Sequence, residues 1–178
     1  MRRLPKILRD TCGAEIAEAA LVMPLMFMVL LGIYWFGRAY NIYATITHAA
    51  EEGARAASAP SCALCGNAAL LPDQIATTVS QVLVASRLDP NQVQPLAPTP
   101  ALNDCNTGAP VTACTLPGGG QPQVCIQQNV QLNTGSTGPP ACGVSVSFQY
   151  PYQFYLPFTS LNHQLILLKA NGEMTAEN

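Results

Sequence analysis

Charge is scarce in this sequence. Asp, Glu, Lys and Arg make up 10% of its 178 residues, against roughly 25% in an average soluble domain. Apolar residues make up 49%. A solvated, disordered chain has the opposite balance and is excluded for the chain as a whole. A freely soluble enzyme is disfavoured, because so few charges cover so much apolar surface poorly. The net charge of −2 argues against binding duplex nucleic acid, which needs a basic face to neutralise phosphates. Histidine is also nearly missing. His48 lies in a helical stretch and His163 in a late loop, and neither has metal-ligand spacing. There is no G-x-S-x-G, no G-x-x-x-x-G-K and no H-E-x-x-H. Gly118-Gly119-Gly120 is flanked by prolines and reads as a loop. No catalytic residue, metal site or cofactor is expected.

What charge there is sits unevenly. Arg2, Arg3, Lys6 and Arg9 fall in the first nine positions, and no charge occurs from Ala19 to Gly37. Those nineteen residues span about 28 Å as a helix, close to the ~30 Å hydrocarbon core of a bilayer. A buried core helix is the competing reading, but the rest of the chain offers too little to surround it. The basic cluster precedes the span, so the N-terminus is expected in the cytoplasm and everything after the span is expected to be exported. A membrane protein with one pass and an exported C-terminal part follows. A cleaved secretory signal fits poorly, because no small-residue cleavage site follows a short apolar core. A lipoprotein signal fails because Cys12 precedes the apolar run.

Cysteine usage agrees with export. Beyond the span stand Cys62, Cys65, Cys105, Cys114, Cys125 and Cys142. An even set in an oxidising compartment reads as up to three disulfides, whose connectivity the sequence leaves open. Cys62-Ala-Leu-Cys65 has redox-motif spacing, but it follows a helix and lacks the strand-to-helix setting of a thioredoxin site. Zinc is disfavoured because no second closely spaced Cys or His pair exists.

Periodicity divides the chain into a basic leader (1–13), a long helix (14–58) and an exported α+β domain (59–178). Ala39, Ile42, Ile46, Ala49, Ala50, Gly53 and Ala57 recur on one helical face, opposite Asn41, Thr45, Glu52 and Arg55. That face can meet the chain's own domain or neighbouring subunits. Pro24 is expected to kink the helix and Pro60 to stop it. A second helix is predicted over Pro72–Leu88, with Ile75, Val79, Val82 and Leu83 as its apolar stripe. Residues 90–143 hold nine prolines and seven glycines, with Asp104 their only charge. Four of the six exported cysteines lie there, so loops stapled by disulfides are expected rather than disorder. Alternation predicts antiparallel strands around Val124–Leu132, Val144–Tyr152 and Gln164–Met174. Tyr150, Tyr152, Phe154, Tyr155 and Phe158 are read as core plus a loop over the helix, with an adhesive patch as the alternative.

The most informative stretch is Cys12-Gly13-Ala14-Glu15-Ile16-Ala17-Glu18. A basic leader ends in glycine, and five residues on an acid opens an otherwise uncharged helix. The layout resembles the type IV prepilin processing site, where a membrane peptidase cleaves after the glycine. Here the cut would fall between Gly13 and Ala14 and would remove Cys12. Glu18 could then meet the new amine of Ala14 on a neighbouring subunit. The plainer reading is that Glu15 and Glu18 sit among lipid headgroups at the helix N-terminus, favoured by its dipole.

The resemblance extends further. Gly13, Glu18, Pro24, the stretch Gly32 to Arg38, and Ala50-Glu51-Glu52-Gly53-Ala54-Arg55 are similar to the N-terminal signature of TadE-like proteins of tight-adherence pilus systems. Trp35 and Glu51 depart from that pattern, and the exported cysteines are not part of it. The resemblance implies a minor pilin or pseudopilin that is not an enzyme. It implies, as partners, a prepilin peptidase, other pilins, the assembly platform and membrane lipid. A membrane-tethered binding module that never joins a fibre is the alternative. A thiol-disulfide enzyme is a third reading and would need a reactive thiolate at Cys62 or Cys65.

Overall fold

The structure is a computed structural model and describes residues 11–59, 70–133, 141–153 and 165–175. Helix α1 covers Thr11–Ser58 and α2 covers Pro72–Ala85. Six strands follow: β1 (Gln94–Pro95), β2 (Leu102–Asp104), β3 (Pro110–Val111), β4 (Cys125–Gln131), β5 (Cys142–Gln153) and β6 (Leu165–Thr175). The expected α+β class is what the fold shows. The chain divides into two units, 1–40 and 41–178.

In the second unit all strand pairs are antiparallel, and β5 is the centre of the sheet. On one side it pairs with β6 from Gly143–Thr175 to Gln153–Leu165. On the other it pairs with β4 and, further along, with β1. Strand β4 continues the sheet through β2 to β3. Alternation along β5 places Val144, Val146, Phe148 and Tyr150 on one face, in a core shared with Ile126 of β4, Ala170 of β6 and Ile75, Val79 and Leu83 of α2. The C-terminal part of α1 supplies Ile46, Ala49, Ala50, Ala54 and Ala57 to the same core. From Ile46 onward, therefore, the small-residue face of α1 serves the chain's own domain.

Two glycines set how closely these layers approach. A Cβ on Gly53 would lie 2.7 Å from Cγ2 of Val79 and 3.4 Å from Cγ1 of Val146. Gly53 thus sits where α1, α2 and β5 meet. A Cβ on Gly172 would run into the backbone of Ala50, with Glu51 N only 2.6 Å away. The helix backbone rests directly on β6 there.

Helix α2 is shorter than predicted. Arg87 takes a left-handed φ of 61°, and the amides of Leu88 and Arg87 donate to Leu83 O and Val84 O. This closure ends the helix before Asp89-Pro90. Helix α1 is already formed at Thr11, ahead of the start expected near Ala14. A glycine costs about 1 kcal/mol in a helix, too little to interrupt one this long and apolar.

Strand β4 carries a bulge. Its register with β5 shifts between Gln128 and Val130, and Asn129 has φ 55°. Val130 now pairs with Gly143, whereas Ile126 pairs with Val146. One extra residue has turned Val130 to the opposite face, which the even spacing of Val124, Ile126, Val130 and Leu132 did not anticipate.

That opposite face is polar yet covered. Gln127, Ser145, Ser147 and Gln149 are all buried. Gln127 Nε2 donates to Pro100 O and Val111 O, so the proline-rich loops lie over it. Among the described residues, Gln127 Oε1 and Ser147 Oγ find no hydrogen-bond partner. Two disulfides hold the cover. Cys114–Cys125 ties a loop to β4, and Cys105–Cys142 ties the turn after β2 to the start of β5. Beside it, Asp104 Oδ1 accepts from Asn106 N at 2.9 Å and from Thr107 N at 2.8 Å.

Tyr150 and Tyr152 are buried, in keeping with a core role. The Tyr150 hydroxyl accepts from Asp89 N at 3.2 Å, and burial pushes its pKa above the ordinary value. Phe154, Tyr155, Phe158, His163, Gln164, Cys62 and Cys65 lie outside the described residues, as does the leader up to Asp10.

Two outcomes are expected. Gly172→Ala should destabilise the detergent-solubilised protein by ~1–3 kcal/mol in chemical unfolding, as overpacking does. Gly119→Ala, where a Cβ meets nothing within 4 Å, should change little. The second concerns pH. The Thr107 amide, then its hydroxyl, hold the Asp104 carboxyl below its ordinary 3.8. A depressed folded pKa contributes stability above the unfolded value. The advantage of wild type over Asp104→Asn should be present at neutral pH, shrink below pH 3.8 and vanish beneath the folded value, as read by urea unfolding across pH.

Candidate assembly helix

In the first unit, the described residues leave the apolar stretch of α1 uncovered. Its most apolar window has a mean hydropathy of 2.3 and is 0% buried. It is long and apolar enough to cross a membrane. Ile16, Leu21, Met23, Met28, Ile33 and Phe36 are all exposed. Exposure of this kind in water would be severely unfavourable, at ~25 cal/mol per Å² of apolar surface. The helix therefore needs lipid or other helices as its solvent. Ala19, Val22, Met23, Met26, Phe27 and Leu30 line one shallow groove along it, following the three–four spacing of a single face.

The residues expected to matter at the N-terminus lie on this helix. Gly13, Glu15 and Glu18 are exposed. A Cβ built on Gly13 meets nothing within 4 Å, so nothing among the described residues requires glycine there. The same holds for Gly32 and Gly37, whereas Gly53 is fixed by packing. With the helix formed from Thr11, no acid falls in its first turn. Among the described residues, Arg55–Glu52 is the only salt bridge, leaving Glu15, Glu18 and Arg38 without an ionic partner.

The aromatics at the far end of the apolar run entered the sequence reading only as part of the Gly32–Arg38 resemblance, without a physical role. Tyr34, Phe36, Tyr40 and Tyr43 are 57%, 72%, 73% and 47% exposed. Tyr34 and Trp35 stack edge to face with ring centroids 5.3 Å apart. Amphipathic rings clustered where an apolar span ends suit a membrane–water interface, and their spacing directly after Ile33 was the available signal.

Of the six candidate disulfide cysteines, four are brought together in two bonds, Cys105–Cys142 and Cys114–Cys125. No group of His, Cys, Asp and Glu among the described residues could hold a metal. His48 is exposed on α1.

Comparison with known proteins agrees with the resemblance seen in the sequence. Residues 13–55 match the family model of TadE-like protein. The match covers the exposed helix and ends at Arg55, two residues past the packed Gly53. No curated protein and no solved structure matches the chain.

Trp35 is the chain's one tryptophan, which makes the interface assignment measurable. In vesicles containing lipids brominated at different depths, its fluorescence should be quenched most by bromines near the headgroups. Strongest quenching from bromines at the bilayer centre would show that the span is placed differently.

Proposed function

We propose that this chain is a minor pilin or pseudopilin of a tight-adherence pilus system, anchored in the bacterial inner membrane with its N-terminus in the cytoplasm. The observation that carries this reading is an uncovered apolar helix, headed by Gly13 and Glu18, within a segment that matches the TadE-like family. The family match associates the chain with tight-adherence pili. The processing step and the minor-pilin role are the finer part of the proposal.

A prepilin peptidase hydrolyses the Gly13–Ala14 peptide bond. Water supplies the carboxylate on Gly13 and the amine on Ala14. The helix then starts at Ala14, which brings Glu15 into its first turn, where the dipole favours a carboxylate. Glu18 in a membrane or fibre interior costs up to ~3 kcal/mol if unpaired. The Ala14 amine of a neighbour offsets that cost. Lipid covers the apolar helix before assembly and other pilin helices cover it afterwards. The work done is packing and display; the chain is not an enzyme. Its partners are the peptidase, sister pilins and the assembly platform, and it needs no cofactor.

Intact mass of protein purified from membranes tests the proposal. The expected species lacks residues 1–13, and Glu18→Val should sharply reduce pilus formation. Full-length protein in cells with an active peptidase would overturn the processing step. So would trimming that persists in Gly13→Leu, a change the helix itself has room for.

A further inference from the structure

Between Ala14 and Ala50 the side chains carry three full charges: Glu15, Glu18 and Arg38. None has an ionic partner among the described residues, and Glu15, Glu18 and Arg38 are all exposed. If the assembly reading holds, cleavage adds a fourth charge, the Ala14 amine, which serves Glu18. Two acids then face two cations, and Glu15 and Arg38 remain.

Their placement on the helix is complementary. Glu15 and Arg38 are twenty-three residues apart, which is about 35 Å along an α-helix and about 140° around it. Two parallel copies displaced along their axes show each other opposite sides, about 180° apart. The difference is within reach of the long arginine stem. Each helix therefore offers an acid on one side at one end and a base near the other side at the other end. Such a contact does not close on itself, and it repeats copy after copy.

We propose that Arg38 of one copy pairs with Glu15 of a second copy raised by about one bilayer thickness (~30 Å). Two copies seated at the same depth cannot make this contact. It forms when one leaves the membrane and its Glu15 reaches the outer surface, where Arg38 of the next copy waits. The pairing fixes the axial step between copies and gives the second carboxylate a cation once it has reached the outer surface.

Charge exchange tests it in cells that assemble the full chain. Recovery of the protein in sheared surface material should fall about tenfold for Arg38→Glu and for Glu15→Arg, and return to within about twofold in the double exchange. The mass of each variant reports whether trimming is intact. Independently, a Glu15→Cys copy expressed with an Arg38→Cys copy, both carrying Cys12→Ser, should give a disulfide-linked dimer that neither gives alone. Single variants that assemble like wild type, a double exchange that stays defective, or no mixed dimer would overturn the pairing alone. A defect rescued only by a change in another pilin would transfer Arg38 to that partner and overturn it too. Wild type absent from surface material would overturn the assembly reading and the pairing with it.

Discussion

The second unit depends on the contact between the backbone of α1 at Ala50 and β6 at Gly172. A helix normally stands off a sheet by the depth of its side chains. Here alanine on one element and glycine on the other bring main chain against main chain. About one turn later Gly53 lets the side chains of Val79 of α2 and Val146 of β5 reach the backbone of α1. Large residues then fill the space around this seam: Ile46, Ile75, Leu83, Phe148. Dispersion contacts fall off steeply with distance, so two positions without side chains set the spacing for the entire core. The Ala-Glu-Glu-Gly-Ala-Arg motif at 50–55 thereby acquires a physical meaning, since its small residues are buried, Glu51 and Arg55 are exposed, and Glu52 is half-buried beside Arg55.

One helix thus answers two different demands. In the second unit its small face is consumed by the sheet and α2. From Ala19 to Gly37 the helix carries no charge on any side, and its most apolar window is 0% buried among the described residues. A stripe of alanines suits the first demand, and an all-round coat of Leu, Met, Val and Phe suits the second. The change from one pattern to the other falls among the aromatics between Tyr34 and Tyr43, residues with an apolar body and a polar edge.

Much of this was legible from residue order. The uncharged run, the alanine face beyond it, the stripe of α2 and the alternation of β5 each obey a simple period, and each became the element expected. The parts that were not legible depend on contacts distant in sequence. Arg87 ends α2 by adopting a conformation that no glycine announced. Asn129 inverts the facing of Val130 because Cys105 N donates to its carbonyl across the sheet. The short strands β1, β2 and β3 have two or three residues each, too few to show a period, and each is defined by its partner strand in the sheet: β5 for β1, β4 for β2, and β2 in turn for β3. At the helix N-terminus, Gly13 could be singled out from sequence. That nothing among the described residues requires glycine there emerged only from the empty space around it.

The covering of the sheet's polar side differs in kind from the rest of the molecule. It is mostly proline-rich coil, fastened by two sulfur bridges and a few side-chain bonds such as those of Gln127. Its fastening points are few and fixed, while the chain between them obeys no periodic rule. Segments held in this way can lengthen, shorten or change composition with little effect on the seam between helix and sheet. The molecule therefore has an exchangeable exterior mounted on a constant frame, an arrangement in which what is shown to the surroundings can diverge while the means of building remains the same.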